Sequence, residues 1–307
     1  MEETGGRRNG AGGWRLPLAR LLIGTLGRLP LRVNRALGVA LGTIAWHLRT
    51  RGRRVTLHNL ALCFPGMPAD ERRCLGRRSS VQTGISATET AWCWHRPIGD
   101  WWPDRVRVLG VERYEEALAS GRGVLLATPH LGGWEASMPV GAVDGELHYF
   151  YRVPRDAALE PVLRDGRANL GGQALRLDAG GIRRALKLLG AGGTVGILPD
   201  QEPDRAGGVF APLFGTPALT MTLLSKLAAR SGATVVFLVM ERRPGGWCAR
   251  FVETDEAIGD RNATTAAAAL NRSVERCIAL APTQYLWSYR RFRELPQGGR
   301  RDYRCRP

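Results

Sequence analysis

The residues best equipped for chemistry in this 307-residue chain are a histidine and a glutamate five positions apart. They lie in the segment Val124-Leu125-Leu126-Ala127-Thr128-Pro129-His130-Leu131-Gly132-Gly133-Trp134-Glu135. An imidazole can take a proton from an alcohol near neutral pH, and a neighbouring carboxylate can fix its tautomer and stabilise the imidazolium. On a continuous helix five residues advance roughly 500°, which puts His130 and Glu135 on different faces. They meet only if the histidine lies in a loop and the glutamate in the first helical turn, a bend that Gly132 and Gly133 permit. The preceding run reads as a buried strand, so the base stands at the carboxyl end of a strand, where open α/β sheets keep their sites. By itself this pattern is weak, because a histidine near a glutamate is more often structural.

The elements that would position the pair are those of an α/β protein. Gly123 to Ala127, Leu147 to Tyr151, Val195 to Leu198 and Thr234 to Met240 have the look of strands, each near a helix-like stretch, and that alternation signals an α/β sheet. Upstream, residues 1–13 read as a floppy tail with nothing to bury. Residues 14–50 form an apolar but arginine-interrupted helical segment, and 51–307 the main domain. From Val55 to His95 the pattern is helical, broken at Phe64-Pro65-Gly66, with Asp70 a plausible cap for the second helix. The longest uncharged run near the N-terminus, Ala36 to Leu48, falls short of the ~20 residues that cross a bilayer, so a helix lying on a membrane fits better than a span. Trp92, Trp94, Trp101 and Trp102 crowd together, a grouping typical of a core and also compatible with a lipid boundary.

Composition narrows the partners. An apolar fraction of 44% suffices for a sizeable core and argues against wholesale disorder. The formal charge of +16, almost all of it from arginine, calls for an anionic partner: nucleic acid, an acidic leaflet or an acidic protein. Six scattered cysteines with no C-x-x-C pair argue against zinc and against a dense disulfide framework, leaving reduced and mostly buried thiols. No cleavable signal peptide is evident in the polar, Gly-rich start, so the catalytic part is expected on the cytoplasmic side. H-E-x-x-H, G-x-x-x-x-G-K-[ST] and a G-x-G-x-x-G after a strand are all absent, and neither metal nor cofactor is expected.

The histidine segment resembles the H-x-x-x-x-D/E box of the lysophospholipid acyltransferase superfamily, and further segments resemble its lipid A late acyltransferase branch. These are Asn59-Leu60-Ala61-Leu62-Cys63-Phe64-Pro65, Tyr151-Arg152 with Gly166-Arg167, Leu198-Pro199-Asp200-Gln201, the run Gly207 to Gly215, and Pro282 to Phe292. Together they cover roughly residues 30 to 295 in the family's order. Gly133 departs from the pattern, since many members have Asn there. The resemblance implies a glycerolphosphate-acyltransferase-like fold, a central mixed sheet flanked by helices with an N-terminal helical, membrane-associating annex. It also implies a fatty acyl thioester on acyl carrier protein as donor and a lipid A precursor of the Kdo2-lipid IVA type as acceptor, at the cytoplasmic face of the inner membrane.

On that reading His130 takes the acceptor's proton and Glu135 holds and charges the imidazole. Arg167, and as a second candidate Arg152, stabilise the oxyanion or an acceptor phosphate. Asp200 supports binding or orders active-site loops without entering the chemistry. An anionic membrane surface is the third partner, and nucleic acid is not expected. One alternative is an acyltransferase for another glycolipid, such as a mannosylated phosphatidylinositol. A different class is a non-catalytic basic protein that binds lipid or nucleic acid; the latter would show aromatic platforms interleaved with basic residues, whereas most tryptophans here sit in one cluster. A serine hydrolase lacks its G-x-S-x-G elbow.

Overall fold

The computed structural model describes residues 14–304 except 103, 143–146, 153 and 155. The expected tail over residues 1–13 and the thiol of Cys305 therefore lie outside the described residues. Four helices come first: α1 (Arg15–Arg28), α2 (Leu31–His47), α3 (Arg51–Cys63) and α4 (Ala69–His95). The α/β part follows, with β1 (Val106–Leu109), α5 (Glu112–Ala119), β2 (Val124–Ala127), α6 (Met138–Gly141), β3 (Leu147–Tyr151) and α7 (Glu160–Ala168). Next come β4 (Gly172–Arg176), α8 (Ala179–Gly190), β5 (Thr194–Ile197), β6 (Gly208–Leu213), β7 (Thr216–Met221) and α9 (Leu223–Ser231). The chain then runs through β8 (Thr234–Arg243), β9 (Gly246–Val252) and α10 (Ala263–Leu280).

Seven strands form one sheet in the order β1-β9-β8-β2-β5-β3-β4, while β6 and β7 make a separate antiparallel hairpin. Pairing is parallel throughout the sheet except between β8 and β9, so the sheet is mixed, as expected. All four residues of β2 are buried. Such an unbroken apolar run is what a central strand needs when both sheet faces are covered. Leu125 and Ala127 enter the core on one face with α8, α9 and α10; Val124 and Leu126 enter the other with α5 and the tryptophans.

The four expected strands coincide with β2, β3, β5 and β8, and the break at Phe64-Pro65-Gly66 separates α3 from α4. The expected cap does not form: Pro68 occupies the cap position without a side-chain bond, and Asp70 sits inside the first turn, where a carboxylate suits the positive helix end. Helix α2 hugs α4 because glycines meet across the contact, and a Cβ on Gly84 would fall 2.2 Å from the Gly38 carbonyl oxygen. No helix among the described residues is long and apolar enough to cross a membrane. Trp92 and Trp101 are core residues, packed edge-on with ring centroids 5.9 Å apart and both against Trp247.

Candidate active site

The loop after β2 leaves the centre of the sheet and is clamped before it reaches the next helical turn. Gly132 has φ +63, and a Cβ there would meet the Met240 carbonyl oxygen at 1.9 Å, so only glycine fits. The amides of Gly132 and Gly133 donate to the carbonyls of Gln284 (3.1 Å) and Met240 (2.8 Å), and Leu286 N–H donates to the His130 carbonyl (3.0 Å). Glu135 follows in a 3-10 turn, Trp134–Ser137. The histidine therefore lies in a loop and the glutamate in the first helical turn, as the five-residue spacing requires.

The late C-terminal block supplies two of these three contacts and is itself tied down by the early motif. Asn59 on α3 donates to the carbonyls of Trp287 (2.8 Å) and Tyr289 (2.6 Å), and accepts from the Tyr303 hydroxyl (3.1 Å). Buried Arg291 donates to the Leu219 carbonyl (2.7 Å) and the Thr220 hydroxyl (2.9 Å). Segments that stand far apart in sequence thus converge behind one loop.

The imidazole does not rest on Glu135. Its Nδ1 lies 2.7 Å from Oδ1 of Asp200, and the His130 backbone N–H donates to the other oxygen at 3.0 Å. Burial by itself would raise the Asp200 pKa, but the charge of His130 and the hydrogen bonds from its ring and backbone overcome that and hold the carboxyl below its ordinary range. An ionised carboxylate on Nδ1 fixes the proton there and leaves Nε2 as the basic nitrogen. The Gln201 amide nitrogen stands 3.0 Å from Nε2, and the Trp134 ring packs against the imidazole with centroids 5.4 Å apart.

Glu135 is engaged elsewhere. Its Oε1 accepts from Arg167 Nη2 at 2.5 Å and its Oε2 from Arg167 Nε at 3.0 Å, a fork on a fork, while Trp94 Nε1 donates to Oε2 at 3.0 Å. Burial pushes this carboxyl up, but the Arg167 guanidinium, its hydrogen bonds and Trp94 win, with a smaller contribution from His130, and the net direction is down. The same partnership raises Arg167 against the opposing effect of burial, and the guanidinium lies over the Tyr149 ring at 5.0 Å. Glu135 and Arg167 border an apolar cavity walled by Leu126, Met138, Leu147, Phe150 and Ile197.

Of the five residues singled out in the sequence, four therefore converge. His130 meets Asp200, Glu135 meets Arg167, and the two pairs stand on one loop; the direct His130–Glu135 contact is replaced by these two contacts. Arg152 is elsewhere, 60% exposed and 3.7 Å from Asp204 on the surface. Trp94, Gln201 and Arg242 were missed. Arg242 donates to the Gly132 carbonyl (3.0 Å) and to Glu89 (2.8 Å) from inside the fold, and nothing in the chain's forty-four lysines and arginines singles it out. Gln201 carried a signal, since it adjoins Asp200 in a quoted motif. No group of acidic, histidine or cysteine side chains among the described residues could hold a metal ion.

The family model for bacterial lipid A biosynthesis acyltransferase matches residues 15–294. Over 287 residues the chain is 33% identical to the lipid A biosynthesis lauroyltransferase of Escherichia coli strain K12, covering 88% of this chain and 89% of that protein. Identity to the palmitoleoyltransferase of the same organism is 32% over 288 residues, 88% of each chain. A lipid A biosynthesis acyltransferase of Haemophilus influenzae is 27% identical over 282 residues, 87% of this chain and 86% of its own. The residues matched by the family model include the whole loop, its clamp and both ion pairs.

Proposed function

The chain belongs to the bacterial lipid A biosynthesis acyltransferase family, and from that premise we propose that it moves a fatty acyl chain from an acyl carrier protein thioester to a hydroxyl of a Kdo2-lipid IVA type precursor, with His130 as general base. One observation carries the reading of the base. Buried Asp200 accepts from both the backbone and the ring Nδ1 of His130, which fixes the ring's orientation and leaves Nε2 on the far side as the nitrogen that can take a proton. In the proposed step Nε2 takes the acceptor hydroxyl's proton and the oxygen attacks the thioester carbonyl carbon. As the tetrahedral intermediate collapses the carbon–sulfur bond breaks, and the leaving thiolate receives the proton from Nε2.

Arg167 is proposed to stabilise the oxyanion of that intermediate through its charge, and Glu135 to hold the guanidinium at the cavity wall. A buried arginine needs such a partner, because an unpaired charge out of water is costly. The apolar cavity beside the pair is the proposed seat of the start of the acyl chain. The imidazole-holding part proposed for a carboxylate passes from Glu135 to Asp200.

We propose that the protein works at the cytoplasmic face of the inner membrane, and an exposed apolar stripe supports that. On α2, Val33, Leu37, Leu41 and Ile44 are exposed at helical spacing, opposite the buried Leu31, Asn34, Gly38 and Gly42; Leu18, Leu21 and Leu22 of α1 are exposed as well. We read this as a surface that lies on an anionic leaflet, to which the charge of +16 would add attraction.

The test is an assay of purified protein in detergent micelles with a panel of acyl carrier protein thioesters and a tetraacylated, Kdo-bearing precursor, read by mass spectrometry. Wild type should add one acyl chain, and His130→Ala should lower turnover by about 10²–10⁴-fold. Addition only to a different glycolipid would move the acceptor assignment. Undiminished transfer by His130→Ala would remove the base.

A further inference from the structure

The nitrogen on which the proposed chemistry depends is already occupied. With Nδ1–H donating to Asp200, Nε2 carries the imidazole's lone pair, and the Gln201 amide donates into it at 3.0 Å. Among the described residues this is the Gln201 side chain's one hydrogen bond. It is not needed to orient the ring, because Asp200 already binds the ring and the backbone of His130 while Trp134 packs against the imidazole.

The backbone beneath Gln201 is held on both sides. Asp200 is tied to His130, and the next residue, Glu202, accepts from the backbone N–H groups of Arg293 (3.1 Å) and Glu294 (2.8 Å) and is itself buried. A fixed backbone under a half-buried side chain lets the amide swing by rotamer changes alone, leaving the His130–Asp200 pair in place.

We propose that Gln201 guards the catalytic base: without acceptor its amide occupies Nε2 of His130, and the acceptor hydroxyl displaces it, so that Gln201 sets the partition between acyl transfer and thioester hydrolysis. This rests on the reading of His130 as base. A water at Nε2 would do what the acceptor does. Its proton would pass to Nε2, its oxygen would bond to the carbonyl carbon, the carbon–sulfur bond would break, and the leaving thiolate would take the proton back from Nε2, giving a fatty acid and a thiol. An acceptor lipid brings binding energy from the rest of its structure to pull the amide away, whereas a lone water has none to contribute.

The experiment uses the full-length protein in micelles with a dodecanoyl carrier-protein thioester as probe. Two rates are taken from each preparation: hydrolysis without acceptor, and transfer with the Kdo-bearing precursor. Gln201→Met, which keeps the length and removes the donor, and Gln201→Ala are compared with wild type. Both should raise the ratio of hydrolysis to transfer by about fivefold, the size expected for one neutral hydrogen bond. Because the ratio comes from one preparation, loss of folded protein cannot produce that change. A ratio that stays at the wild-type value, or hydrolysis that falls faster than transfer, overturns the guard. His130→Ala run alongside separates the two readings: if it keeps both rates the base is wrong, and if it loses both while the Gln201 ratio is unchanged only the guard is wrong.

Discussion

Two buried glutamates grip arginines on either side of the loop that carries His130, and they differ in what else they face. Glu135 forks onto Arg167 beside an apolar cavity, with the Tyr149 ring under the guanidinium and Trp94 completing the carboxylate. Glu89, on α4, holds two arginines, Arg35 of α2 at 2.8 Å and Arg242 of β8 at 2.8 Å. Arg242 spends its remaining donors on Gln82 (2.6 Å), Ser86 (2.9 Å) and the Gly132 carbonyl, and Arg35 bonds the carbonyls of Arg243 and Gly246. The Glu89 cluster joins the N-terminal helices to the sheet and to the back of the loop. The Glu135 pair instead borders the apolar cavity that we propose receives the acyl chain. Burial and charge are alike in the two clusters, and each glutamate lines a cavity; what separates them is that the cavity shared by Glu135 and Arg167 is the larger of the two and mostly apolar, while the one beside Glu89 is small.

The largest expected effect that would separate the clusters is on stability. Glu89→Gln leaves two guanidinium groups without their anion and should cost about 3–5 kcal/mol in chemical denaturation, with turnover per folded molecule near wild type. Glu135→Gln should instead lower turnover on the order of 10²-fold at temperatures where the protein stays folded, because Arg167 loses its mooring at the cavity wall. The comparison collapses if Glu89→Gln silences the folded enzyme, or if folded Glu135→Gln turns over normally.

Acid should expose the site next. Glu135 and Asp200 both titrate below their ordinary values of 4.5 and 3.8. A carboxyl depressed in the folded state contributes stability that is fully present above its unfolded pKa and is lost as pH falls through its folded pKa. Melting temperature should therefore drop below about pH 4, and the drop should be shallower in Glu135→Gln and in Asp200→Asn. An unchanged slope in both variants would assign acid sensitivity to other groups. The smallest effect belongs to Arg152: its exposed ion pair with Asp204 should be worth less than about 1 kcal/mol, so Arg152→Ala should melt and turn over like wild type. A large loss of turnover would return Arg152 to the site.

Much of this was legible in the chain. The α/β class followed from alternating apolar runs, and the loop position of His130 and the turn position of Glu135 followed from a five-residue spacing with two glycines between. Local rules suffice there because strand, bend and turn are decided by residues close in sequence. The capping role expected of Asp70 falls to no side chain, because a proline two residues earlier already sets the backbone for helix entry.

The sequence by itself determined which residue types stand where a strand ends: His130 three positions after β2, and Asp200 three positions after β5. Only the tertiary structure decided that they face each other. β2 and β5 pair in parallel with Val124 opposite Thr194 and Ala127 opposite Ile197, and carrying that offset of 70 forward three residues brings His130 level with Asp200. A slip of one residue would have turned a different side chain toward the imidazole. Register is set by the packing of both sheet faces at once, a property of the whole core, so no spacing within a single segment could show which carboxylate the histidine would meet.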